Sequence, residues 1–293
     1  MIPASFDYLA PKTLDEALRA LAAHGEDAKL IAGGHSLLPL VKLRLATPKL
    51  LIDLKKISGL SEISLKDGKV VIGALATHYQ IESSALLKKN CPLLPRTAGV
   101  IGDLQVRNCG TIGGSLSHAD PSADWPATIL ALGGEIKLAG AKASRWIKAE
   151  EFFLAPMTTA MEPTEILTEI RVPEISRPGH STYLKMAQQA SGFAIVGVAA
   201  WLRMGKNGRC EDIGIGLTGL SAKPFRAQAV ERRLRGKKLT KKLIEESVAQ
   251  VGRGIDPLED MHASADYRAH LARVFTYRAI EELASKAAGR PKY

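Results

Sequence analysis

The sequence predicts an α+β protein built from two unlike parts. Three observations carry this reading. Helix signals alternate with short apolar runs up to about residue 175, two long alternating strands and a third follow, and helical periodicity then holds from 225 onward. At 293 residues the chain is long enough for about two domains, and a hydrophobic content of 46% supports a real core.

The elements follow in order. "TLDE" (13–16) is a capping box, in which Thr13 caps and Glu16 reaches back. Its helix runs through Leu14, Leu18 and Leu21 and stops near Gly25. "AKLIA" is a short buried strand ending in Gly33-Gly34, and "KLLIDL" (49–54) is another. "EISLKDGKVVIGA" (62–74) alternates around Asp67-Gly68, a hairpin signal. "THYQ" (77–80) repeats the capping box and opens a helix to about Lys89, and a second helix covers the region 92–103. A helix from about Asp124 to Leu132, a strand near "EIKLA" and a strand at 165–173 closed by Pro173 complete the first part. "STYLKMAQ" and "FAIVGVAAWLRM" are strands, and Asn207-Gly208 turns the chain into "CEDIGIGLTGL", giving an antiparallel meander. Helices follow at 225–235, 240–252 and about 265–287.

No apolar run approaches the roughly 18 residues that span a bilayer. "MIPASFDYLAPKTLDEA" lacks the charged-then-apolar layout of a signal peptide, so the expectation is a soluble cytoplasmic protein. The formal charge of +10 raises nucleic acid as a partner. Much of the excess sits in "ERRLRGKKLTKKL" (231–243), which reads as two short helices with Leu234, Leu239 and Leu243 as apolar anchors. No RNA-binding aromatic signature or helix-turn-helix pattern accompanies it, so the stretch is a solvated basic face and nucleic acid is not expected. Cys91, Cys109 and Cys210 are scattered and form no CxxC pair. They exclude a self-contained four-thiolate cluster or zinc site and read as small buried or semi-buried thiols; no metal site is expected.

Two stretches resist a core reading. In "NCGTIGGSLSHADPSADWP" (108–126), fourteen residues are Gly, Ser, Thr, Ala, Asp, Asn or Pro; "IAGGHS" (31–36) is the second. A Gly-Gly pair after a strand lets backbone N–H groups point into one concavity and bind an anion, notably phosphate. Ser36 adds a hydroxyl to the first, and Thr111 and Ser115 flank the second. Two such loops suit two phosphates in a row, as in the bridge of a dinucleotide. Asp120 and Asp124 can accept hydrogen bonds from sugar or ribityl hydroxyls; Asp124 can also cap the helix that Pro126 enters. "GIGLTG" (214–219) matches the G-x-G-x-x-G dinucleotide fingerprint, but it lies in a return strand of the meander without a βαβ context, so it is set aside.

"AGGHSLLPLVKLRLA" (32–46) and "TIGGSLSHADPSAD" (111–124) closely resemble the two FAD-binding signatures of the medium, flavoprotein subunit of molybdenum hydroxylases, the xanthine dehydrogenase and aerobic carbon monoxide dehydrogenase family. The likeness continues through "IGALATHYQIE" (72–82), "KMAQQASGFAIVGVAA" (185–200) and "SADYRAHLARVFTYRAI" (264–280). The resemblance implies a vanillyl-alcohol-oxidase-type FAD-binding domain over 1–176, with α/β lobes of about 1–55 and 56–176, and a flavoprotein-type C-terminal domain of antiparallel sheet and helices over 177–293. It implies that Ala32, Gly33, Gly34, His35 and Ser36, with Thr111, Gly113, Gly114 and Ser115, grip the FAD diphosphate. Asp124 would hold the FAD chain, Lys185 would stand near the flavin, and Leu167 and Phe193 would border its ring. It also implies an electron-transfer subunit with no catalytic acid or base of its own. The partners would be a small [2Fe–2S] subunit and a large subunit carrying the molybdenum cofactor, in a dimer of heterotrimers. The alternative is a free-standing FAD-dependent oxidase or reductase of the same fold. His35 stands where the family usually has Gln, and Ser115 where it usually has Asn. His35 either only hydrogen-bonds its loop or makes FAD affinity depend on pH.

Overall fold

The computed structural model describes residues 2–175 and 179–289. The boundary expected at 176/177 therefore lies outside the described residues. The mixture of helix and sheet is the α+β architecture that the sequence predicts.

The chain opens with β1 (Asp7–Leu9), α1 (Leu14–His24), β2 (Ala28–Ile31), α2 (Leu37–Lys42) and β3 (Leu50–Asp53). β3 lies between β1 and β2 and runs parallel to both. α1 starts at Thr13, whose hydroxyl accepts from the Glu16 N–H, but the expected capping box is only half formed, because the Glu16 carboxylate accepts from the Lys12 N–H at 2.8 Å instead. Its buried stripe of Ala17, Leu18 and Leu21 packs over Ile52. β1 and α2 carry too few periodic residues to be read from sequence.

Next come β4 (Ile63–Lys66), β5 (Lys69–Gly73), α3 (His78–Ser83), α4 (Ala85–Asn90), α5 (Leu93–Ala98), α6 (Leu104–Cys109), α7 (Ile112–His118) and α8 (Asp124–Ala131). β6 (Glu135–Ala139), β7 (Ser144–Lys148), α9 (Ala149–Phe152), β8 (Phe153–Ala155), β9 (Thr158–Thr159) and β10 (Ile166–Pro173) follow. The five-stranded antiparallel sheet has the order β4-β5-β10-β6-β7. Three expectations need correction here. The helix expected from "THYQ" to about Lys89 is two helices, because Ser84 leaves helical geometry and its hydroxyl caps the Leu87 N–H. The helix expected over 92–103 ends at Ala98, since Gly102 turns the chain at φ 51 and Asp103 caps a separate α6. The stretch read as a loop from 108 contains α7, because Thr111 caps the Gly114 N–H and carries two glycines into a helical turn.

β11 (Gly179–Ala187), β12 (Ala194–Met204), β13 (Cys210–Thr218) and β14 (Phe225–Arg226) form an antiparallel meander in sequence order. α10 (Gln228–Leu234), α11 (Lys241–Val248) and α12 (Ala265–Ala287) close the chain, with α12 laid on β11 and β12. In the basic stretch Leu234 is buried, and Leu239 and Leu243 pack against the same core, as their anchoring role requires. Two of the cysteines are buried as expected; Cys109 is exposed at the end of α6.

The two halves meet at α8, all of whose residues are buried. Its carbonyls lie so close to β13 that a Cβ on Gly214 would overlap the Ala131 oxygen, and one on Gly216 the Ala127 oxygen. The indole of Trp201 donates to the Ala131 carbonyl at 2.7 Å. The first two glycines of "GIGLTG" thus admit a helix, and β13 sits between two antiparallel neighbours, outside any βαβ unit. Gly216→Ala should lower the unfolding free energy by about 3 kcal/mol, the upper range for overpacking, read by urea denaturation. An unchanged midpoint would mean that α8 does not rest on this strand.

Candidate functional site

A cavity of about 920 Å³ opens between the turn after β2 and the start of α7. That size lies in the upper range for ligand pockets, about 300–1,000 Å³. Ala32, Gly33, Gly34, His35 and Ser36 line one side and Thr111, Gly113, Gly114 and Ser115 another; Asp120, Asp124, Leu167 and Phe193 complete the expected set. Lys185 is the one expected residue that does not line it.

The two glycine stretches are not equivalent. Among the described residues, the N–H groups of Gly33, Gly34, His35 and Ser36 have no internal acceptor. Four consecutive free donors form a nest for an anion. In the second stretch the donors are spent. Ile112 donates to Ala76, Gly113 to Ala74 at 2.8 Å, Gly114 to the Thr111 hydroxyl and Ser115 to the Thr111 carbonyl. That side offers the Thr111 and Ser115 hydroxyls instead. The expectation that both stretches present amides is corrected for the second, because a capped helix start uses them internally.

The glycines also serve a different purpose from the one expected. A Cβ on Gly33 would strike the Cys109 carbonyl, and one on Gly113 would stand 2.5 Å from the Ala74 Cβ. Both face protein, not the void. Gly34 is required by its φ of 77°, a left-handed conformation.

Asp124 begins α8 but caps nothing; the N-cap position is Ala123. Its carboxylate accepts from the Tyr183 hydroxyl at 2.5 Å and from Lys185 Nζ at 3.0 Å. Lys185 also donates to the Gly192 carbonyl at 2.6 Å. It therefore acts behind the wall, joining α8 to the β11–β12 hairpin whose tip carries Phe193. Phe193 is 40% exposed and faces the cavity, so it is no core aromatic, whereas Leu167 is buried on β10. Burial raises the Asp124 pKa, with Lys185 and Tyr183 pulling it down, and burial pushes Tyr183 well up. Asp120 is tied by the Ser122 N–H to one oxygen at 2.8 Å.

His78 and Trp125 escaped the sequence reading. "THYQ" registers only as a capping box, yet Thr77 bridges to Thr111 and the His78 N–H donates to the Gly110 carbonyl at 2.9 Å. The His78 side chain thereby reaches the cavity wall. Its Nδ1 accepts from the Trp125 indole at 3.0 Å. Burial first, then His35 and Arg107, lowers its pKa to about 4.

Comparison with known proteins decides the family. Residues 4–175 match the model for the FAD binding domain in molybdopterin dehydrogenase, and residues 181–283 match the CO dehydrogenase flavoprotein C-terminal domain. The chain belongs to the molybdopterin dehydrogenase flavoprotein family. This flavoprotein is 37% identical to the glyceraldehyde dehydrogenase medium chain of Sulfolobus acidocaldarius, over 97% of its own length and 100% of that protein. It is 37% identical to the carbon monoxide dehydrogenase medium chain of Afipia carboxidovorans, over 98% of its own length and 99% of that chain. The carbon monoxide dehydrogenase structure from Hydrogenophaga pseudoflava superposes with a TM-score of 0.94 at 38% identity, covering 97% of this chain and 98% of that one. The flavoprotein is thus an oxidoreductase subunit with an FAD-binding domain. Among its described residues no helix is long and apolar enough to cross a membrane.

Lys185→Met leaves the buried Asp124 without its cation and should cost about 3–5 kcal/mol in urea denaturation. Because the folded-state pKa of Asp124 is raised, the stability linked to its neutral form is present at acid pH and lost as pH rises. The penalty of the variant should therefore be larger at pH 8 than at pH 4. His78 has the opposite sign. Its folded pKa lies below the ordinary 6.5, so its contribution is full above pH 6.5 and is lost as pH falls toward 4. Relative to wild type, His78→Phe should flatten the decline between those limits by about 3 kcal/mol. Parallel pH–stability curves would contradict the burial of a neutral imidazole.

Proposed function

We propose that this chain is the FAD-binding electron-transfer subunit of a molybdenum hydroxylase complex. It would pass electrons from [2Fe–2S] clusters of a partner subunit through FAD to an external acceptor. The observation that carries the reading is the row of four free amides on a large cavity, within a chain that carries the family's FAD-binding domain. The relatives named above are medium chains of dehydrogenases, which supports a place in a multi-subunit complex. Three cysteines are too few for even one four-thiolate cluster, so the clusters are assigned to a small subunit and the molybdenum cofactor to a large one, as a dimer of heterotrimers. The complex is placed in the cytoplasm. We divide the domains at 176/177, with the first split into two lobes near residue 55.

The residues present fit the cofactor, since a void of this size sits against unspent donors. Gly33, Gly34, His35 and Ser36 would receive the diphosphate through their amides, with Ala32 shaping the turn. Thr111 and Ser115 would add hydroxyl donors over the floor made by Gly113 and Gly114. Asp120 and Asp124 would accept from hydroxyls of the ribityl or ribose units. Leu167 and Phe193 would border the ring and keep water from it. Lys185 holds Asp124 and the hairpin tip in place and would influence the ring only through them. Bound there, FAD supplies the redox chemistry; the protein supplies binding and electrostatics.

The purified chain should take up one FAD per molecule and quench its fluorescence, without oxidising substrates when isolated. Failure to retain or quench added FAD would sink the reading. Substrate turnover by the isolated chain would instead select a free-standing oxidase or reductase.

A further inference from the structure

The flavin reading leaves two buried titratable groups on the cavity wall unused, and of these Glu165 is already paired with Arg145. His78 is only 4% exposed, and it lines the cavity beside Gly110 and Thr111. Its tautomer is fixed by chemistry. An indole N–H can only donate, so the Trp125 bond at 3.0 Å makes His78 Nδ1 an acceptor without a proton. A neutral ring must then carry its hydrogen on Nε2. Trp125 is fully buried in α8 and cannot turn to release the bond without unpacking the core.

Among the described residues, Nε2 has no hydrogen-bond partner. It lies 2.7 Å from the point a Cβ on Gly110 would occupy. A side chain at 110 would collide with the ring, so Gly110 leaves the space that His78 fills. Gly33 packs against Cys109 and Gly110 together, which puts the His78 ring at the seam between the free-amide loop and α7. His35 on that loop is close enough to act electrostatically on His78.

We propose that His78 is a further ligand-binding residue, its Nε2–H aimed by Trp125 to donate to the anionic group held by the amides of Gly33 to Ser36. The inference rests on the flavin reading, and it adds a neutral side-chain donor to the nest. A neutral ring supplies the hydrogen bond without a charge that would vary over the physiological pH range. Trp125 is a positioning residue, acting only through the imidazole.

The test uses the purified chain and FAD. In the free wild-type protein labelled with ¹⁵N-histidine, His78 should show the Nε2–H tautomer, and adding FAD should shift its Nε2 resonance. Isothermal titration should give His78→Phe an affinity for FAD about tenfold or more below wild type, the loss of a hydrogen bond to a charged group. His78→Gln, which restores an N–H donor, should remain within about threefold of wild type. A Nδ1–H tautomer, an unmoved Nε2 signal, a His78→Phe affinity within twofold of wild type, or a Gln variant as weak as Phe would each overturn the proposal. Wild-type protein that takes up no FAD would defeat the flavin reading itself, and the tautomer of the free chain would still judge the aim of His78.

Discussion

The site depends on one close contact, the seating of α8 on β13. Two strand positions without side chains let the helix backbone rest against the sheet. That seat fixes the height and rotation of a helix whose first two residues both serve the cavity. Asp124 reaches across to Tyr183 and Lys185, and Trp125 reaches back to His78. The loop that enters the helix is held from the same strand, because the Thr218 hydroxyl lies 2.7 Å from the Pro121 carbonyl and 2.8 Å from the Ala123 carbonyl. A hydroxyl has one proton to share between them, and the Gly219 N–H also donates to Pro121. Helix, entry loop and wall therefore move as one body.

The pair of glycine stretches divides the labour of binding. One is a turn whose donors face outward; the other is a helix start whose donors face its own backbone. The same residue type is needed in each for a different reason. Gly34 supplies a backbone conformation, while Gly33 and Gly113 supply clearance between packed segments. A dipeptide that looks repeated in the sequence has two separate physical causes.

Much of this was legible in the chain. The capping box at Thr77, the Asp67-Gly68 hairpin and the meander after residue 179 follow from local rules, and the structure contains each of them. Thirteen of the fourteen expected site residues share one cavity wall. The exception, Lys185, lies on a strand whose alternation gives the face of a residue but not the depth of its partner. α7 was hidden because glycines depress helix propensity, and it takes the Thr111 cap on Gly114 and the packing of Gly113 on Ala74 to support them there. His78 was hidden because its role arises from Trp125, 47 residues away in sequence. Pairings of that separation leave no periodic trace.

The unspent amides after β2 bear on how such a chain matures. The helix-start side of the cleft is complete as soon as the backbone folds, whereas the turn side stays solvated until an anion arrives. Any ligand that fills it favours the folded form by mass action. Filling that row of donors therefore tightens the fold at the same moment as it seats the ligand.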